Sequence, residues 1–189
     1  MRSSAGSGLR ASAAIVGAGL AGLGEAPGMT SEDIATAAAL KALGEAGLTA
    51  KDIDAVFVSL PATSNALSGL QLAEVLGIQP RLTDNNRTGG SAFLYYTLHA
   101  AMALRAGLCR TALIAYGSNQ RTASGKLVSA VQSPRYEAPY EPIYPLTSYA
   151  LAASRHMHVY GTTREQLASV AVAARKWANL NPDAFARGP

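Results

Sequence analysis

The residues best placed for chemistry lie in Asp84-Asn85-Asn86-Arg87-Thr88-Gly89-Gly90-Ser91-Ala92-Phe93, where two glycines join a strand end to the start of an apolar helix. The first N–H groups of a helix lack internal partners, and its aligned peptide dipoles place roughly half a positive charge there. Amides at Gly90 and Ser91 can therefore hold a thioester carbonyl, an enolate or a carboxylate, the task of an oxyanion site. Ser91 as a nucleophile would need an adjacent base, and none lies near it in sequence.

The other reactive residue types read differently. Cys109, the single cysteine, follows the far end of the same helix. A helix C-terminus disfavours a thiolate, so a buried inert thiol is expected. One cysteine also excludes an internal disulfide and suits a reducing compartment. His99 falls in mid-helix and is expected to be a satisfied interior or interface residue. His156 and His158, two residues apart, cannot share a helix face, and no other ligand cluster appears, so no metal is expected. Gly17-Ala-Gly19-Leu-Ala-Gly22 fits a dinucleotide-binding pattern, which requires a helix starting inside the loop and an acidic residue ending the second strand. Pro27 and Gly28 delay the helix to about Ser31, and the second strand ends Val58-Ser59-Leu60. A glycine-rich connection under close packing is the better reading.

The elements that must position these residues alternate between strand and helix patterns, the signature of an α/β fold with a mostly parallel sheet covered by helices. Expected strands are Ala13 to Val16, Ala55 to Ser59, Arg81 to Asp84 and Thr111 to Gly117. Ser31 opens a helix that Thr30 or Ser31 can cap, with Glu32 and Asp33 at its positive end and Gly44 or Gly47 as its stop. Its Ala35, Ala39, Ala42 and Ala46 let backbones approach closely. A short helix spans about Gly69 to Leu76 and stops at Gly77, and another runs from Ala92 to Ala106. From Ser118 to Pro145 the pattern dissolves; Pro139, Pro142 and Pro145 forbid a regular helix through Tyr136, Tyr140 and Tyr144. A loop of this length is usually functional. Helices from Thr147 to His158 and from Thr163 to Asn179 close the chain, the second with a capping box in Thr163-Arg-Glu-Gln166. The organisation expected is a flexible lead-in (1–12), a core (13–117) and a loop excursion with two helices (118–189).

Composition supports this class. The 189 residues are 49% hydrophobic and 15% charged, with a net charge of +4. That charge allows acidic partners, but Lys and Arg are scattered without the basic run of a nucleic-acid surface. No apolar stretch reaches membrane-spanning length, the first ten residues lack a signal-peptide core, and no internal repeat is present. The cytoplasm is the expected address.

The Asn85-Asn86 turn, the opening Ala14 to Gly19, the Ala106 to Asn119 segment, and Arg155 to Ala168 followed by Asn181-Pro182 stand in an order that resembles the thiolase superfamily. The likeness runs along the whole chain and is nearest to bacterial lipid-transfer or sterol-carrier-type thiolases. It implies a fold of two similar halves, of which this chain is similar to the first plus its loop excursion. In that family an Asn-x-x-Cys-x-(Ser/Gly)-Gly turn carries the nucleophilic cysteine, and Gly89 stands at that place here. With no acyl-enzyme able to form there, the resemblance implies retro-aldol carbon-carbon cleavage of an acyl-CoA in lipid or sterol side-chain metabolism. Acyltransferase activity and a non-catalytic binding or scaffold subunit are the alternatives. Asn86, Gly89, Gly90 and Ser91 would form the oxyanion or substrate site, and Tyr144, Pro145 and Leu146 would line an acyl pocket. Coenzyme A would enter as part of the substrate, with no permanently bound cofactor. The resemblance also implies a homodimer or larger assembly, with a small acyl-CoA-binding subunit as a candidate partner, and places the acid and base in the other half.

Overall fold

A computed structural model describes residues 8–59, 68–86, 88–123 and 134–188. The chain divides into two units, Met1–Thr122 and Ala123–Pro189.

The first unit is built around a three-stranded parallel sheet in which β1 (Ala55–Ser59) lies between β2 (Leu82–Asn85) and β3 (Ala112–Tyr116). Phe57 pairs with Asp84 and with Ile114, and Ser59 stands opposite Tyr116. Successive side chains of β1 point to opposite faces, and both faces are apolar, as a central strand covered by helices requires. Val56 and Val58 meet Ala35, Ala39 and Leu43 of α1 (Ser31–Ala46) and Leu72 and Ala73 of α2 (Ser68–Leu76). On the other face, Ala55 and Phe57 meet Ala92, Tyr96, Ala100 and Ala103 of α3 (Ala92–Arg105). The unit is thus a helix–sheet–helix sandwich with a core on each side of the sheet.

Local chemistry sets the helix ends. Thr30 Oγ1 accepts from Asp33 N, while Thr30 N donates to Asp33 Oδ2, a reciprocal box that satisfies two orphan amides of α1. That hydrogen bonding also holds the Asp33 carboxyl below the usual carboxylate range. Gly47 ends α1 in the left-handed conformation, with Leu48 N closing onto Leu43 O at 2.9 Å. At the start of the sheet, Asp54 ties strands together: its carboxylate accepts from the amides of Arg110 and Thr111, and its carbonyl accepts from Arg81 N at 2.7 Å. Burial pushes this carboxyl up, but the two amides and the charges of Arg110 and Arg81 bring it below its usual value.

The expected strand Ala13 to Val16 does not form. Those residues are irregular, and Ile15 and Val16 are 84% and 62% exposed. A strand exists only with a ladder partner, and this segment instead runs against α1. A methyl group at Gly17 or Gly19 would strike the carbonyl of Ala42 or Ala38, so the glycines there serve close packing. Ala18 N donates to Glu45 and Lys41 Nζ donates to Leu20 O, which replaces the missing ladder. The dinucleotide reading fails on the same observations, since α1 begins only at Ser31.

In the second unit, α5 (Leu146–Tyr160) ends at a left-handed Gly161, and α6 (Arg164–Leu180) starts from the Thr163–Gln166 box expected from its sequence. Neither helix buries a residue, and Val170, Trp177 and Leu180 are more than two-thirds exposed. Within the stretch expected to lack regular structure, a short α4 (Gln120–Ala123) and a single 3-10 turn (Ala138–Tyr140) form; residues 124–133 lie outside the described residues.

Candidate functional site

Parallel strands deliver their C-terminal ends to one edge of the sheet, where ligands of open α/β sheets bind. Here that edge gathers Ser59, Asn85 and Tyr116, and directly after β2 the chain turns into α3. A 3-10 turn, Gly89–Ser91, forms the entrance, and Ala92 N closes it by donating to Gly89 O. Gly89 has φ of 69°, and the space where its side chain would stand is open. The turn needs glycine for its backbone and has room for a side chain.

The turn is bound from within. Asn86 Oδ1 accepts from Thr88 N at 3.3 Å and Thr88 Oγ1 at 2.9 Å, and Ser91 Oγ donates to Thr88 O at 2.8 Å. Ser91 therefore commits its proton to the backbone and has no neighbouring base among these contacts, which argues against it as nucleophile. Asn86 Nδ2 is buried with no partner among the described residues, a donor left available beside the turn. Gly89, Gly90 and Ser91 are all exposed. The amides of Gly89 and Gly90 precede the first i to i+3 bond of the turn, so helix geometry leaves them without internal partners.

Sequence reasoning missed several residues here. Tyr96, fully buried, donates from its hydroxyl to Val58 O at 2.7 Å and accepts from Asn86 N at 2.5 Å. Burial, with Asp84 and Tyr95 adding to it against the Asn86 amide, keeps this phenol protonated by raising it above its usual value. The sequence signals its burial but not its role: Ala92, Tyr96, Ala100 and Ala103 form one stripe, in which Tyr96 is the single large residue. Phe93 and Tyr116 meet edge-on, 5.5 Å apart between ring centres, at the same edge of the sheet. His99, expected as an interior or interface residue, is instead partly exposed: its Nδ1 stands 3.5 Å from Asp84 Oδ2 and its ring meets Tyr95 at a 42° tilt.

Cys109 is 2% exposed at the other end of α3, and burial together with Asp54 pushes its thiol up, against a smaller opposing pull from Arg81. Its burial matches the expectation from sequence. No group of three or more metal-ligating side chains occurs among the described residues, and His156 packs on Tyr160 instead. Tyr144, Pro145 and Leu146 belong to the second unit at the entrance to α5. Leu146 is half exposed there, and the Tyr144 hydroxyl is buried without a partner among the described residues.

The parallel sheet covered by helices on both faces is a thiolase-like α/β fold, as its likeness to solved structures shows. The chain is similar to thiolase-like lipid-transfer and aldolase proteins. It is 29% identical over 193 residues to 17-hydroxy-3-oxo-4-pregnene-20-carboxyl-CoA lyase of Mycobacterium tuberculosis, covering 95% of this chain and 49% of that protein. An acetyl-CoA acetyltransferase of Methanothermobacter thermautotrophicus is 29% identical over 180 residues, covering 90% and 46%. Among solved structures, the Ltp2-ChsH2(DUF35) aldolase superposes with a TM-score of 0.72 at 28% identity, covering 92% of this chain and 45% of that one. No family model matches. The chain spans about half the length of the curated relatives it matches.

Proposed function

We propose that this chain is part of an enzyme that cleaves a carbon-carbon bond of an acyl-CoA by a retro-aldol route, in lipid or sterol side-chain metabolism. The observation that carries the reading is glycine at residue 89. The entrance of α3 offers helix-start amides and no nucleophile, while the one cysteine is buried at the opposite end. Without a thiol there, the site can hold a thioester oxygen but cannot take the acyl group.

In the proposed step a base removes the β-hydroxyl proton of a β-hydroxyacyl-CoA and the Cα–Cβ bond breaks. A ketone or aldehyde leaves, and the electron pair forms the thioester enolate, which is then protonated at Cα. Asn86, Gly89, Gly90 and Ser91 frame the enolate oxygen, and the orphaned Asn86 Nδ2 supports that role. The acid and base come from the other half that the resemblance implies, and coenzyme A enters only as part of the substrate. A second copy or an acyl-CoA-binding subunit completes the assembly. The exposed Leu94, Leu98 and Met102 of α3 support such cover. No described helix is long and apolar enough to cross a membrane, and the cytoplasm is the proposed location.

The similar acetyltransferase favours a second reading, acyl transfer to coenzyme A. Product analysis, run on the chain assembled with the half that supplies the acid and base, separates the two. Cleavage of a β-hydroxyacyl-CoA without consumption of free CoA supports the retro-aldol route. CoA-dependent cleavage of a β-ketoacyl-CoA overturns it in favour of transfer, and acyl-CoA binding with neither reaction leaves a scaffold.

A further inference from the structure

The Tyr96 ring fills the core beside Phe57, with ring centres 5.7 Å apart, and a phenylalanine would fill it equally well. What the hydroxyl adds is a tie across three pieces of chain. It donates to Val58 O near the end of β1 and accepts from Asn86 N at the exit of β2, from a helix that the turn itself begins. Ser59 Oγ adds a weaker tie, donating to Asn86 O at 3.4 Å. Asn86 in turn holds Thr88, and Thr88 O holds Ser91. The glycine turn is therefore anchored chiefly through the buried Tyr96 hydroxyl, with Ser59 as a weaker second tie. A buried hydroxyl is costly to desolvate unless it is satisfied, and this one is satisfied only by the segments it joins.

We propose that Tyr96 is the positioning residue of the turn: its hydroxyl fixes where the amides of Gly89 and Gly90 point and so sets the affinity for an acyl-CoA. The second clause rests on the acyl-CoA reading above. The first does not.

The test compares Tyr96→Phe, Ser59→Ala and Phe57→Leu in the 189-residue chain. Phe57→Leu damages the same core without touching the hydroxyl. The backbone order of Asn86, Gly89, Gly90 and Ser91 is read by 15N relaxation, and octanoyl-CoA is titrated in parallel. In wild type the turn holds order parameters of about 0.85, and Tyr96→Phe lowers them to about 0.6. Octanoyl-CoA then binds about tenfold more weakly, the order of the cost of re-ordering the released turn on binding. Ser59→Ala shifts the same signals by less and keeps the inference testable should Tyr96→Phe not fold. Phe57→Leu lowers the melting temperature and leaves the turn ordered. A turn unmoved by both hydroxyl deletions, or moved equally by Phe57→Leu, overturns the proposal. A wild-type chain that binds no octanoyl-CoA overturns the acyl-CoA reading and the affinity clause, while the relaxation data still decide the role of Tyr96 in the turn.

Discussion

Placing a cysteine at residue 89 probes the electrostatics and the backbone of the turn together. Gly89 sits at φ of 69°, and a Cβ built there meets nothing within 4 Å. The cost of Gly89→Cys is therefore backbone strain alone, roughly 1–2 kcal/mol for an L-residue in the left-handed region. For a domain of this size that lowers the melting temperature by about 2–8 °C, so the variant stays folded. Gly90→Cys has the same open surroundings without the positive φ and should melt within about 2 °C of wild type. Both introduced thiols lie at the positive end of α3, so both should titrate below about 8.5, the value of a free cysteine. The assay is the pH dependence of iodoacetamide alkylation followed by intact mass. Wild type, whose thiol is 2% exposed, should remain unlabelled while folded. A thiol at residue 89 that titrates at or above about 8.5 would refute the electropositive entrance, and with it the physical basis of the site. Equal melting temperatures for the two variants would refute the strained φ.

Three further outcomes follow from the packing. Gly117→Ala would drive a methyl group into Ser31 O and to 2.9 Å from Ala35 N, so it should cost at least about 3 kcal/mol and yield little soluble protein. Asp54→Ala should cost about 2 kcal/mol at neutral pH by denaturant titration, through lost bonds to the Arg110 and Thr111 amides. Because the folded carboxyl of Asp54 is held below its unfolded value, its contribution is present above about pH 4 and fades as pH falls through the folded pKa, so the variant should lose part of the acid sensitivity of wild type. Thr163→Ala removes the acceptor for Gln166 N and should lower the stability of α6 by about 1 kcal/mol, read as lost helix signal on heating.

Features written in short-range chemistry are readable from the sequence. β1 lies where its apolar run stands, and the Thr163 box and Gly77 stop appear as expected because each depends on residues within one turn. The segment Ala13 to Val16 departs from its reading because an apolar run announces a strand but not the partner that a ladder requires. At the site, the glycine turn is visible in the sequence, while the role of Tyr96 is not. Its hydroxyl acts on Val58 O, 38 residues away, and local pattern carries no trace of such a contact.

Gly117 touches the first turn of α1, and Asn119 just beyond it donates to Met29 O and accepts from Ser31 Oγ. The chain leaving β3 is thereby stitched to the start of the first helix. Insertions or linker swaps should be rejected between Tyr116 and Asn119, because any residue added there would draw the strand exit away from the helix start it is fastened to.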